Sequence, residues 1–303
     1  MRSIVTFIVI LVASPFLMGV INQVKAAFAG RKGPGLWRLY FDLKKLWGKR
    51  IDNQGVSWVF KAAPTINLVC TVVAVGIFCA ALSAGKSTRF PGLVTLLYLT
   101  MFYLLGTGRF FTVLGALDTG SAFEGMGASR EVQFSAVCEV IMMMVLAVLT
   151  AGGGACGVRG APALPAIILT GVAFYGFMLS ETCRVPFDDP ETHLELTMIH
   201  EAMILDYAGR NLAMIHYAAA VKFGLLAAFL GSLGSVGTLG SLGALGARTG
   251  VSAFLWTVGA MIGVAIITGV VESTMARMRF AKTPKILFAA LACALTALTL
   301  TYL

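Results

Sequence analysis

Charge is what this chain has least of. Asp, Glu, Lys and Arg together make up 12% of its 303 residues while hydrophobic residues make up 58%, and the mean hydropathy is +0.87. Soluble domains carry about 25% charged residues, so a globular core of this size is excluded and the composition is that of a polytopic membrane protein. Cysteine is sparse and scattered. The six (Cys70, Cys79, Cys138, Cys156, Cys183 and Cys293) form no CxxC pair and mostly lie in apolar runs, which excludes a disulfide framework and supports no iron–sulfur ligand set. Of the three histidines, His193 and His200 stand seven apart beside Glu201 without a third ligand, and His216 lies in an apolar run; this spacing supports no metal site. The glycine pairs at Gly106-Thr-Gly108 and Gly152-Gly-Gly154 lack the strand–turn–helix setting of a nucleotide loop. No paired inverted repeat points to an independent transporter.

What is present are apolar windows of membrane length, at 3–22, 64–84, 92–112, 131–150, 162–181, 211–232, 251–272 and 285–302. A span needs about 20 such residues, so the chain is read as an all-α integral membrane protein of eight transmembrane helices in a single membrane domain, residues 1–303. The first window is longer than the apolar core of a cleaved signal and is read as retained, although Ala27-Phe28-Ala29 has a small-x-small form. The sixth window runs into a Gly/Ser/Leu stretch from Gly231 to Gly246, read as an external loop. With the N-terminus outside, seventeen Lys and Arg fall inside, including two between Arg109 and Arg130 taken as a loop; five fall outside and Lys222 sits within a span. The positive-inside rule therefore puts both termini outside. Between the first two windows, in residues 30–50, Leu36, Leu39, Tyr40, Leu43, Leu46 and Trp47 recur at helical spacing opposite Arg38, Lys44, Lys45 and Lys49. That pattern predicts an amphipathic helix lying on the inner leaflet, either as an anchor or as a docking surface for a cytoplasmic partner.

Acids are few and concentrated. Seven of the fourteen Asp and Glu lie between Glu181 and Asp206, in an acidic loop (182–210) bounded by membrane-length segments, where ionisable groups are expensive and default to a functional reading. Asp189-Pro190 reads as a helix start, Asp as N-cap and Pro at the first position. Capping does not explain Asp188, Glu191 and Glu195, whose spacing by three and four stacks like charges on one face. Such crowding disfavours their simultaneous ionisation and brings proton exchange within reach near neutral pH. Glu139 and Lys222 lie within spans, where a charge costs about 3 kcal/mol, so both are expected to face the bundle interior. They serve either as a structural pair or as stations of a proton relay, and the relay needs them near each other.

The run Glu181-Thr-Cys-Arg184-Val-Pro-Phe-Asp188-Asp189-Pro-Glu191, followed by Glu195-Leu196, resembles the ETNRxPFDxxExExEL loop of the membrane subunit 1 (H-subunit) family of respiratory complex I. Gly33-Pro34 with Asp42-x-x-Lys45-Leu46, Leu114-Gly-Ala-Leu117 before Glu131-Val132, and Arg277-x-Arg279 extend the resemblance over nearly the whole chain. Departures are His193 in place of a further Glu, Glu272 in place of an Arg, Arg38-Leu39 in place of Gln-Pro, and longer Phe123–Glu131 and His200–Asp206 segments. These forms resemble the branch found in energy-converting NiFe hydrogenases, including the formate hydrogenlyase type.

The resemblance implies a non-catalytic membrane subunit of an oxidoreductase complex in a bacterial or archaeal inner membrane. Such a subunit binds no cofactor itself. Its partners would be the hydrogenase large and small subunits, which with an iron–sulfur subunit hold the NiFe site and the iron–sulfur clusters, together with antiporter-like membrane subunits and lipid, and no nucleic acid. It implies that Glu181, Asp188, Glu191 and Glu195 line a polar channel, that Arg184 orients them, and that Glu131 matches a family Glu. The expectation that Glu139, Glu201, Asp206 and Lys222 join this proton pathway is physical rather than inherited. The alternative is a quinone-site subunit of a complex I-like NADH dehydrogenase, in which the same loop shapes a cavity for a lipid-soluble carrier.

Overall fold

A computed structural model of the protein describes residues 2–49, 57–84, 91–151, 164–188, 198–236, 250–275 and 283–302. Among them every regular element is helical: α1 (Arg2–Phe28), α2 (Arg38–Trp47), α3 (Trp58–Ala84), α4 (Pro91–Asp118), α5 (Ala122–Ala151), α6 (Leu164–Glu181), α7 (His200–Met203), α8 (Gly209–Val236), α9 (Gly250–Thr274) and α10 (Thr283–Tyr302). All but α2 and α7 are long and apolar enough to cross a bilayer, so the eight-span expectation holds. Asp189, Glu191, His193 and Glu195, the Gly152–Gly154 run, Cys156, Arg277 and Arg279, and the Gly/Ser/Leu stretch beyond Val236 lie outside the described residues.

Two boundaries differ from the sequence expectation. The stretch from Arg109 to Arg130, expected to be a loop, is helical except at 119–121, where Gly120 turns the chain at φ 69°. Nothing between Arg109 and Asp118 breaks a helix: there is no proline, and the Thr112 hydroxyl donates back to the Gly108 carbonyl at 3.0 Å, as a helical Thr does. At the other boundary, α8 continues past Gly231 to Val236, into the stretch read as an external loop.

The central helix is α8. Within its span window 67% of residues are buried inside the chain, against 22–50% in the other spans, so the remaining seven present much of their surface outward. Around α8 a cluster of rings fills the middle of the bundle, with Phe229 meeting Phe102 edge-on at 5.3 Å, Tyr98 at 5.2 Å and Phe174 at 4.8 Å. Without a hydrophobic drive between helices in lipid, such close packing is what holds the spans together.

Helix α2 lies across α1 and α8 with the predicted amphipathic face. Leu36, Leu39, Tyr40, Leu43 and Leu46 are partly covered, while Arg38, Lys44, Lys45 and Lys49 are exposed; Trp47, predicted with the first group, is exposed as well. Three contacts fix it. The Tyr40 hydroxyl donates to the Val12 carbonyl, the Gln23 amide donates to the Pro34 carbonyl at 2.6 Å, and Arg210 donates to the Trp47 carbonyl at 3.3 Å. At Gly19 the Leu36 backbone approaches so closely that a methyl group would collide with it. Replacing Gly19 with Ala is therefore expected to cost about 1–3 kcal/mol by overpacking and to lower the thermal midpoint in detergent. Gly35→Ala, at a position with open space around it, should leave that midpoint unchanged.

Candidate functional site

The C-terminal turn of α6 sets the site. The Arg184 amide bonds the Leu179 carbonyl at 2.9 Å, the Cys183 amide bonds that of Ser180 at 3.1 Å, and Cys183 takes φ 49°. This is a Schellman ending with a non-glycine in the left-handed position, a conformation that costs a β-carbon-bearing residue free energy and recurs at functional sites. It stops the helix one turn after Met178 and leaves Glu181 as its last residue, pointing into the bundle.

Glu181 has a side chain only 2% exposed and stands between two cations. Nη1 of Arg109 on α4 donates to its Oε2 at 2.8 Å, and Nζ of Lys222 on α8 lies 2.7 Å from its Oε1. The second contact is off the direction of an aligned hydrogen bond, yet at that separation it is an ion pair. Three helices thus meet through one carboxylate. Beside it is a cavity of about 50 Å³ lined by Asn67, Thr112, Glu131, Cys183, His200 and Lys222 as well as by the ion pair itself. At about 10–15 Å³ per water it has room for about three to five. A second cavity of about 20 Å³ lies towards Glu139, Tyr103 and Gly106. Arg109 and Glu181 line both, so the ion pair is the wall the two cavities share.

The rest of the loop is pinned from two sides. Asp188, 1% exposed, accepts the backbone N–H groups of Ile199 at 3.0 Å and His200 at 3.1 Å, so it caps the start of α7. Against α7, Gly127 of α5 lies so close that a β-carbon would come within 2.8 Å of the Ile199 carbonyl. Arg184 pairs with Glu272 of α9 at 3.2 Å, sits over the Phe223 ring at 5.7 Å and contacts the Met18 sulfur; Glu272 also takes Lys25 of α1 at 3.2 Å. The Glu272 side chain is itself 2% exposed.

The structure brings together Glu131, Glu181 and Lys222 of the expected pathway and adds Arg109, Asn67, Cys183 and His200. It separates others. Glu139 does not meet Lys222: it lies exposed on the outer side of α5 rather than facing the bundle interior, and Lys222 is taken by Glu181. Among the described residues the Arg184 guanidinium is engaged by Glu272. Its backbone carbonyl holds the turn, accepting from Phe187 and Asp188. Asp206 is exposed, and its amide donates to Glu124 at 3.2 Å. Glu201 is half-buried on α7. Arg109 was missed because it was counted as a loop cation, although a lone Arg inside an apolar helical run is the same signal that singled out Lys222. Among the described residues no group of three His, Cys, Asp or Glu is placed to hold a metal ion.

Eight apolar spans, an amphipathic side helix and a buried ion cluster at one end define a multi-pass membrane protein with an internal polar centre. The family model described as NADH dehydrogenase matches residues 1–302, and the chain belongs to that family, the complex I subunit 1 family. It is similar to formate hydrogenlyase subunit 4 of Escherichia coli (26% identity over 295 residues, 93% of this chain and 92% of that one) and to hydrogenase-4 component C of the same organism (24% over 284 residues, 90% and 86%). A chain of a membrane-bound sulfane sulfur reductase, an archaeal respiratory membrane complex, shares the fold at a TM-score of 0.74 over 99% of this chain and 98% of that one, with 16% identity.

Two expectations follow from the geometry. Removing one partner of a buried pair leaves an uncompensated charge, so Lys222→Met should destabilise the protein by about 3 kcal/mol. Combined with Glu181→Gln it should cost less than the sum of the two single changes, by about 1 kcal/mol or more, in a denaturation cycle in detergent. The other concerns His200, outside the spans, whose imidazole burial holds below its ordinary 6.5, the Lys222 charge helping and Glu201 opposing. The unfolded chain then binds this proton more readily, so His200's share of stability is complete above that ordinary value and is lost as pH falls below it. The thermal midpoint should fall between pH 7.5 and 5.5, and His200→Gln should shrink that fall.

Proposed function

We propose that the chain is the membrane-anchoring and ion-coupling subunit of a membrane-bound hydrogenase-type complex. In this reading hydrogenase large and small subunits and an iron–sulfur subunit carry the NiFe site and clusters, and antiporter-like subunits stand beside this chain in a bacterial or archaeal inner membrane, with both termini outside. The single observation that carries the coupling role is the Glu181 carboxylate between Arg109 and Lys222, buried where two cavities meet. A structural ion pair would be better packed dry; this one is flanked on both sides by space and by further titratable groups, Glu131 and His200 on one side and Glu139 on the other.

The chemistry available there is proton exchange by displacement of charge. Arg109 and Lys222 together can compensate two carboxylates, Glu181 and Glu131, so protonating Glu131 leaves an excess of positive charge that favours release of a proton elsewhere in the cluster. A redox partner docked at the α6–α7 loop would bias that balance through the same electrostatics, since a charge change outside alters proton affinity within by linkage. Asp188 and the Arg184–Glu272 pair fix the loop on which such a partner would act. Relatives named for formate hydrogenlyase and hydrogenase-4 support the class of complex.

In sealed vesicles holding the purified complex, Glu131→Gln is expected to leave the subunits assembled and to cut proton movement per turnover at least tenfold. Unchanged hydrogen turnover with unchanged ion movement would overturn the coupling role and leave a plain anchor.

A further inference from the structure

Glu139 is a carboxylate on the outward, membrane-facing side of its helix. It stands twelve residues before the end of α5, about 18 Å along the axis, which is near the centre of a hydrocarbon layer about 30 Å thick. Its neighbours on that face are Ala136, Val140 and Met143, all exposed, and across the groove Tyr103 and Thr107 of α4 are exposed too. A carboxyl group so placed costs about 3 kcal/mol against lipid. The cavity it lines ends on Arg109 and Glu181.

We infer that the α4–α5 groove around Glu139 is a docking surface for a transmembrane helix of a different membrane subunit, one that presents a Lys, Arg or His at the depth of Glu139. Charge selects this occupant. Acyl chains offer the carboxyl group no partner, and a soluble subunit cannot reach mid-membrane. A second copy joined across a two-fold axis would set Glu139 against Glu139. A cationic helix neutralises Glu139 and closes the groove over the second cavity, so that the cluster at Glu181 is continued by the neighbour's side chain. The inference rests on the reading of the chain as one membrane subunit among several, and not on proton movement.

The test is photo-cross-linking in the intact complex in native membranes, with a photoreactive amino acid at Ala136 or Val140 and, for background, at Phe288 or Leu295, which are exposed on α10. The expected result is an adduct at Ala136 and Val140 with one other membrane subunit, mapped within one helical turn of a Lys, Arg or His in its span, at several times the α10 yield. Adducts with lipid alone, with a second copy, with a soluble subunit or with a helix lacking such a residue overturn the proposal, as do equal yields from α10 or none at all. In mild detergent Glu139→Lys should lower co-purification of that subunit about tenfold relative to Glu139→Gln; equal retention counts against it. Cross-linking needs no turnover, so it stands or falls separately from the effect of Glu131→Gln on ion movement.

Discussion

One carboxylate sets the terms for the rest of the bundle. Glu181 is removed from water and must be compensated where it stands, and among the described residues that compensation comes at hydrogen-bond range from α4 and α8. The register of three spans is therefore fixed by charge as well as by the aromatic packing beneath it. A one-turn slip of α8 would carry Lys222 about 5 Å away and leave an unpaired anion inside the protein. The Schellman ending of α6 belongs to the same constraint, because it halts the helix where the carboxylate can reach both cations.

Much of this was legible from residue order alone. Membrane-length apolar runs gave the eight spans, and alternation of leucines with lysines gave α2, because both signals are properties of single segments. Lys222 was also legible as a candidate, since a charge inside an apolar run stands out, and Glu131 and Glu181 were legible through what the family resemblance implies. Pairing was not. Whether Lys222 meets Glu139 or Glu181 depends on the rotation of α5 and α8 about their axes, and the low amphipathicity of spans surrounded by apolar material on all sides gives no rotational signal. For the same reason Glu139 was turned inward by expectation and outward in the fold. The pairing of Arg184 with Glu272, 88 positions away, was equally illegible.

The site is made of residues of two kinds. Asp188, Arg184 and Glu272 are saturated by their partners and immobilise the loop and the ends of α1, α7 and α9. Glu131, His200 and Cys183 line space instead. Of these, Cys183 is no reactive thiol, because burial pushes it well above its ordinary value and a thiol so held is a poor nucleophile; it donates weakly towards Glu131 at 3.8 Å. Rigid frame and cavity lining therefore alternate along a few residues of chain, and a polar interior needs that frame if its charges are to stay in reach of one another.

The Lys25–Glu272–Arg184 contact also bears on how the chain is made. Lys25 ends the first span and Arg184 follows the fifth, but the carboxylate that joins them arrives only with the seventh. During synthesis two cations with no common counter-charge must wait at one membrane face while some 90 further residues are threaded, the distance from Arg184 to Glu272. Stop synthesis before α9 and the salt-bridge link from the first helix through Glu272 to the loop is missing. The clamp thus acts as a completion mark, closing only once nearly all of the polypeptide has entered the bilayer.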